Sequence, residues 1–435
     1  MTDSSTTTET FDSHIASVSS RYRYWRLHLL ANMYLGYAVF YFTRKNFNYA
    51  LPAIVADLGI KTSDIGMLGT LFYFTYGISK FVCGIIGDRS NPRYFMGIGL
   101  IASGVINIFF GLSSSLFTMA TLWLLNAFFQ AWGWPSCAQL LNSWYSRNER
   151  GLWWSVWNTS HNIGGALIPI LVGILVLHHN WRWAMIVPGI VAVLVGLYLC
   201  WRLRGRPKTL GLPSIGQWRQ DQQELTHESL EPNLKQGTIL SRYIFKNKYI
   251  WLLAGSYFTV YIVRVAINDW GSLYFVQQKG YSILEANTVL SFFEFGGIFG
   301  SLVAGWGSDH FFSGNRTPMN ILFSLGIVVS VFSLWLLPYG GFETQAIGLF
   351  IVGFFVFGPQ MLIGMAAAEY SHKLSPGAAT GFIGLFGYLG AAIASYPISL
   401  IIEHWSWGSY FITLSMAAGF AGIFLLPILN NQHQT

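Results

Sequence analysis

The chain has 435 residues, 53% of them hydrophobic and only 10% charged, against about 25% charged in soluble domains. That balance excludes an ordinary soluble domain, and 18 Trp with 34 Phe suit helices packed in a bilayer with aromatic belts at its surfaces. The formal charge of +7 would fit a nucleic-acid partner in a soluble protein; here the placement of the basic residues ties it to membrane topology, and no nucleic-acid partner is expected.

In chain order, residues 1–20 are polar and rich in Ser and Thr, and they are expected to form a disordered tail with no cleavable signal peptide. Twelve apolar runs follow, near residues 27–55, 64–86, 94–112, 116–141, 152–177, 182–203, 248–276, 285–308, 318–338, 343–369, 377–402 and 407–428. Each is long enough to cross a bilayer. Of the 25 Lys and Arg, eighteen fall in alternate segments beginning with the N terminus, three (Lys61, Arg182 and Lys279) in the other set, and four inside spans. By the positive-inside rule both termini are cytoplasmic. A long polar stretch with Pro207, Pro213, Pro232 and clustered charges separates the sixth and seventh runs. The expected organisation is a six-helix bundle over 21–205, a cytoplasmic linker over 206–245, a second bundle over 246–428 and a cytoplasmic tail over 429–435. Cys83, Cys137 and Cys200 lie in or beside apolar runs, which points to packing and away from disulfides or a metal cluster.

The two halves repeat. Arg44 and Arg264 are offset by 220 residues, Asp88 and Asp309 by 221, and Pro135 and Pro359 by 224. Both halves start on the same side, so the repeat is parallel, about an axis along the membrane normal. The expected fold is an all-α integral membrane protein of twelve transmembrane helices in two parallel-repeat six-helix bundles. After the second run stand Gly84, Asp88, Arg89 and Arg93; after the eighth stand Asp309 and Arg316. Glycines there allow close helix approach, and the acid–base residues suit a cytoplasmic gate, the alternative being an ordinary basic turn. This Gly-x-x-x-Asp-Arg pattern resembles the major facilitator superfamily signature.

The charges inside the runs carry the chemistry. Arg44 and Arg264 each follow a tyrosine by three residues, in Tyr41-Phe42-Thr43-Arg44 and Tyr261-Ile262-Val263-Arg264. A guanidinium at bilayer depth costs at least ~2.5–3.5 kcal/mol on insertion scales. Its planar fork of donors matches phosphate or carboxylate oxygens and stays charged. A symmetric pair suggests one anion held between the halves, where such carriers place substrate. Lys45 follows Arg44 and points about 100° away; Asp269 lies five residues past Arg264, about 140° around. Each arginine can therefore face the site while Lys45 and Asp269 pair across the halves. Lys80 either supplements the phosphate site or pairs with Glu294, and a structural role for these four charges stays open. His161 in the fifth run is either a packed, hydrogen-bonded imidazole or a group that helps recognise a doubly charged phosphate monoester. Asn158-Thr159-Ser160 matches a glycosylation sequon, which has no meaning at bilayer depth. No nucleotide loop, metal-ligand spacing or nucleophile–base pair points to catalysis, so neither enzymatic chemistry nor a cofactor or metal is expected.

Several stretches resemble the organophosphate:phosphate antiporter family of that superfamily: Tyr41 to Phe47, Tyr76 to Phe81, Gly87 to Arg93, Gly133-Trp134-Pro135, Trp157 to Asn162, and Gly358 to Gly364. The resemblance covers about Arg21 to Asn430, and Arg21 to Arg26, Arg93 to Gly97 and Ala266 to Gly271 bring it nearest the bacterial hexose-phosphate branch. It implies exchange of inorganic phosphate for a sugar phosphate, glucose 6-phosphate above all, by alternating access in the bacterial inner membrane. It further implies that Arg44 and Arg264 bind the phosphoryl group, that Lys80, His161 and Tyr261 assist, and that Lys45, Asp269 and Glu294 form a charge relay. The same branch includes receptors that sense external hexose phosphate and signal to a membrane histidine kinase, so a sensor is the competing function. The lipid bilayer, hexose phosphate and phosphate are the expected partners, and the fold is expected to work as a monomer.

Overall fold

The computed structural model describes residues 4–220, 244–336, 341–371 and 376–429. Its elements are α1 (Ser4–Leu58), α2 (Thr62–Arg89), α3 (Pro92–Leu112), α4 (Leu116–Gln130), α5 (Gly133–Trp144), α6 (Arg147–His178) and α7 (Trp183–Arg202). A 3-10 turn (Pro207–Leu210) and α8 (Ile215–Arg219) lead on to α9 (Lys248–Lys279), α10 (Ile283–Phe312), α11 (Arg316–Leu336), α12 (Phe342–Tyr370), α13 (Pro376–His404) and α14 (Trp407–Leu429). The described residues contain no strand.

Local chemistry sets the helix ends. Asn91 caps α3 by accepting the Arg93 amide, with Pro92 at the first helical position, where its missing N–H is harmless. At α10 the Ser282 hydroxyl and the Glu285 carboxylate form a reciprocal capping box.

Among the described residues, nine helices are long and apolar enough to cross a membrane: α3, α6, α7 and α9 to α14. The other three expected spans fall on α1, α2 and the α4–α5 pair. α1 and α2 carry Arg44, Lys45 and Lys80 within their apolar lengths. The span expected over 116–141 is two helices, broken at Ala131 and Trp132. Pro135 explains the break: it has no N–H and is at home in a first turn but not in mid-helix. Gly133 lets α5 press on α1, since a Cβ there would lie 2.9 Å from the Phe40 ring.

At two polar segments the structure describes local order. The tail expected to be disordered over 1–20 is helical from Ser4, continuous with α1. It has no Pro or Gly, so an existing helix extends through it one residue at a time without a new nucleus. The linker expected from residue 206 begins as folded structure: Leu212 and Ile215 are buried with Tyr22 and Trp144. Trp218 stacks on Tyr22 at 4.3 Å, with its rings 4° from parallel. Three apolar side chains give this stretch a face to bury, unlike a solvated tether. Residues 221–243 and 430–435 lie outside the described residues.

The packing is a repeated pattern. In the first half α1 packs on α6, α2 on α4 and α3 on α7; in the second, α9 packs on α13, α10 on α12 and α11 on α14. The halves meet through α2 on α13, α6 on α10, and α1 on α9. Among the described residues, the hydrogen bonds that cross between halves lie level with the arginines or on the side away from the termini. They include Ser63 N to Glu403 at 3.0 Å, Thr70 Oγ1 to Ala392 O at 2.6 Å, and Asn287 to Tyr49 O at 3.2 Å. Near the termini the ion pairs of the described residues stay within a half: Glu149 accepts from Arg26 and Arg219, each at 2.7 Å, and Arg316 joins Asp309 and Glu369. Among the described residues, the bonds that join the halves are therefore concentrated level with the arginines and away from the termini.

Candidate substrate-binding site

α1 and α9 carry the two arginines past each other at the junction of the halves, both side chains buried, Arg44 6% and Arg264 7% exposed. Their surroundings differ. Arg44 Nε donates to Gln130 Oε1 at 3.2 Å and Nη2 to the Tyr76 hydroxyl at 3.0 Å. Its guanidinium lies 4.4 Å from the Tyr76 ring and 4.9 Å from Tyr41. Gln130 is held in turn by donating to Thr43 Oγ1 at 2.8 Å, while Asn126 and Asn107 both donate to the Thr43 carbonyl. That network fixes the turn of α1 carrying Arg44 and orients its fork.

Arg264 has no such cradle. Its guanidinium sits 4.7 Å from the Phe357 ring and 5.6 Å from Tyr261, and it makes neither a side-chain hydrogen bond nor an ion pair among the described residues. An unpaired guanidinium at this depth is costly, and stacking on two rings offsets only part of that.

The carboxylates nearby are engaged elsewhere. Asp269 accepts from Lys45 at 3.4 Å, Asn48 at 2.5 Å, Tyr73 at 2.9 Å and Ser395 at 3.2 Å, so the Lys45–Asp269 pair does span the halves. Glu294 accepts from Asn162 at 3.1 Å, also across the junction. Gly165 makes room for it, since a Cβ there would lie 2.9 Å from the Glu294 carboxyl carbon. Lys80 forms no ion pair with Glu294 among the described residues; its ammonium lies 4.9 Å from Trp134 and 5.2 Å from Tyr388. His161 bridges the arginines through rings, 5.6 Å from Tyr41 and 6.2 Å from Phe357. Its Nε2 is buried without a hydrogen-bond partner. Tyr261 stands beside Arg264 and within 3.4 Å of the Tyr257 hydroxyl.

At the gate motifs, Asp309 pairs with Arg316 at 2.5 Å, and Glu369 of α12 joins them at 3.2 Å. Arg93 donates to the Cys200 carbonyl. The side chains at Gly84, Asp88 and Arg89 lie outside the described residues. The sequence reading missed Tyr73, Tyr76, Gln130 and Glu369. Only Gln130 had a visible signal, an amide inside an apolar run.

Fold and centre together define a multi-pass helical membrane protein of the facilitator type, with a buried charged core between repeated halves. The profile of the Major Facilitator Superfamily matches residues 33–395. The chain belongs to that superfamily, within its organophosphate:phosphate antiporter family. It is 57% identical to the "Membrane sensor protein UhpC" of Escherichia coli K12, covering 95% of this chain and 94% of that one. It is 48% identical to a "Probable hexose phosphate transport protein" of Chlamydia trachomatis, over 96% and 94% of the two chains. A "Glycerol-3-phosphate transporter" of Bacillus subtilis is 33% identical over 94% of each. In fold, a crystal structure of a bacterial homolog of the human lysosomal transporter Spinster superposes with a TM-score of 0.71 at 14% identity, covering 93% of this chain and 95% of that one.

Proposed function

We propose that this protein is an antiporter that exchanges a sugar phosphate, glucose 6-phosphate in the first place, for inorganic phosphate by alternating access. The observation that carries the reading is the pair of buried guanidinium groups with no carboxylate partner among the described residues, one held in a polar cradle and one stacked on rings. Arg44 and Arg264 grip the phosphoryl oxygens, while Lys80, His161 and Tyr261 line the same site. Lys45, Asp269 and Glu294 form the charge relay that closes over it; Asp88, Arg89 and Arg93 with Asp309 and Arg316 form the gate at the opposite end. An empty site leaves two cations without counter-ions, so the loaded carrier reorients more readily than the empty one, which enforces exchange. No bond is made or broken, and the chain acts as a carrier, not an enzyme. It sits as a monomer in the bacterial inner membrane, with two six-helix halves and both termini in the cytoplasm.

A second reading has a specific observation behind it: a relative sharing 57% of its residues is named a membrane sensor. There the same binding step would bias a partner such as a histidine kinase. Proteoliposomes preloaded with phosphate separate the two. An antiporter takes up labelled phosphate and labelled glucose 6-phosphate, and Arg44→Lys or Arg264→Lys abolishes both. Tight glucose 6-phosphate binding without exchange would sink the antiporter and leave the receptor.

A further inference from the structure

Beyond the arginines, toward the termini, the cleft is built from different chemistry. Phe357 of α12 underlies Arg264 and meets His161. Gln360 and Gly364 follow within two turns, about 60° and 20° around from Phe357, so they share the face that looks into the cleft. A Cβ added at Gly364 would meet nothing within 4 Å, and the same is true of Gly381 and Gly384 on α13. Those two precede Tyr388 on one face of α13, and Tyr388 touches Tyr76 across the cleft at 4.7 Å and Tyr261 of its own half at 5.8 Å. Open space therefore begins where the aromatic contacts end. On the same helix face, at the border of that space, stands Gln360, whose Oε1 is buried without a hydrogen-bond partner. Buried amide oxygens are normally paired, and an exception calls for an explanation.

We propose that Gln360 is a specificity residue that hydrogen-bonds hydroxyl groups on the organic part of the substrate, in an aromatic-walled subsite next to the arginines on the side of the termini. The inference rests on the reading of the protein as a phosphate-ester carrier and adds which end of the ester lies where. Rings such as Tyr388 and Trp134 offer flat apolar faces to a hydroxylated ring, and one amide supplies both a donor and an acceptor for its hydroxyls. Inorganic phosphate has no such part and leaves the amide unused. A site built to hydrogen-bond a hydroxyl discriminates strongly because its own polar group is stranded when the partner is missing.

The test is binding of glucose 6-phosphate, glycerol 3-phosphate and inorganic phosphate to the full chain in detergent, for wild type, Gln360→Met and Gln360→Asn. The expected result is a preference for glucose 6-phosphate over phosphate that falls about tenfold or more in Gln360→Met, with partial recovery in Gln360→Asn. Glycerol 3-phosphate, with fewer hydroxyls, should lose less. A ratio of affinities unchanged from wild type, whether every ligand weakens alike or none does, would overturn the assignment and reduce Gln360 to packing; if Gln360→Met does not fold, the ratio in Gln360→Asn decides in the same way. Wild type that binds none of the three would instead overturn the carrier reading, and this inference with it.

Discussion

Lys45 of α1 and Asp269 of α9 form a 3.4 Å ion pair between the two halves of the protein, and both side chains are more than nine-tenths buried. The partners are not equivalent. Among the described residues, Asp269 has three further donors, in Asn48, Tyr73 and Ser395, whereas Lys45 has only the Tyr73 hydroxyl besides. Removing one member of a buried pair costs about 3–5 kcal/mol because the other charge is stranded. Asp269→Asn should therefore lower the melting temperature more than Lys45→Met. A calorimetric ranking in the opposite order would show that the neutral donors do not sustain Asp269 on its own.

Arg264 forms no ion pair among the described residues, although the Glu294 carboxylate acts on it through its charge. Replacing it with Met should raise the thermal stability of the empty protein while abolishing phosphate binding, because an unpaired buried charge disappears and an apolar side chain of similar length takes its place on Phe357. Saturating phosphate should stabilise wild type by mass action and leave Arg264→Met unmoved. Thermal shift with and without phosphate measures both effects. A destabilised Arg264→Met would mean the guanidinium already has a partner.

Gln130 acts through Arg44. Its hydrogen bond to a charged donor is worth about 1.5–3 kcal/mol, so Gln130→Leu should weaken phosphate binding roughly tenfold or more, with Gln130→Glu keeping the geometry but adding a competing anion. Titration calorimetry with phosphate decides: equal affinity in wild type and Gln130→Leu would place Arg44 outside the site or show it needs no cradle.

The Glu149 carboxylate lies ahead of the apolar part of α6, which begins at Val156. Burial alone would raise its pKa, but hydrogen bonds and charge from Arg26 and Arg219 outweigh it and hold the carboxyl below its ordinary value. A folded-state pKa below the unfolded one stabilises at pH above the unfolded value, and the contribution is lost as pH falls through the folded one. The stability gap between wild type and Glu149→Gln should thus be constant near neutrality and close below about pH 4. Melting curves across that range measure it, and a gap that widens in acid would contradict the sign.

The legible part of this molecule was what depends on charge and period. Arg44 and Arg264 stand out because a cation in an apolar run is expensive, and their spacing exposes the repeat. Helical angles allow Lys45 to pair with Asp269 while the arginines face the site, and the structure forms that pair. Gln130, Tyr76 and Gln360 were not singled out for the site, because an uncharged polar residue in a span looks the same whether it faces lipid, core or cleft. Helix rotation decides, and only packing against neighbours fixes it. The break between α4 and α5 was marked by Gly133 and Pro135, yet hydropathy runs through it uninterrupted. Trp218 in the linker looked like one aromatic in a polar stretch; its value lies in Tyr22, almost 200 residues earlier.

The charge clusters also differ in what they join. Near the termini each cluster, Glu149 with its two arginines and Arg316 with its two carboxylates, binds helices of one half to each other. Beside the arginines Lys45 and Asp269 bind one half to the other. Among the described residues, then, the two halves are joined by charge beside the arginines and each is braced separately nearer the termini. If the halves swing as proposed, that swing has to dissolve a buried ion pair. On the proposed reading, an anion drawing both arginines together would supply the pull for that swing, and the direction in which the site faces would become a readout of its own occupancy.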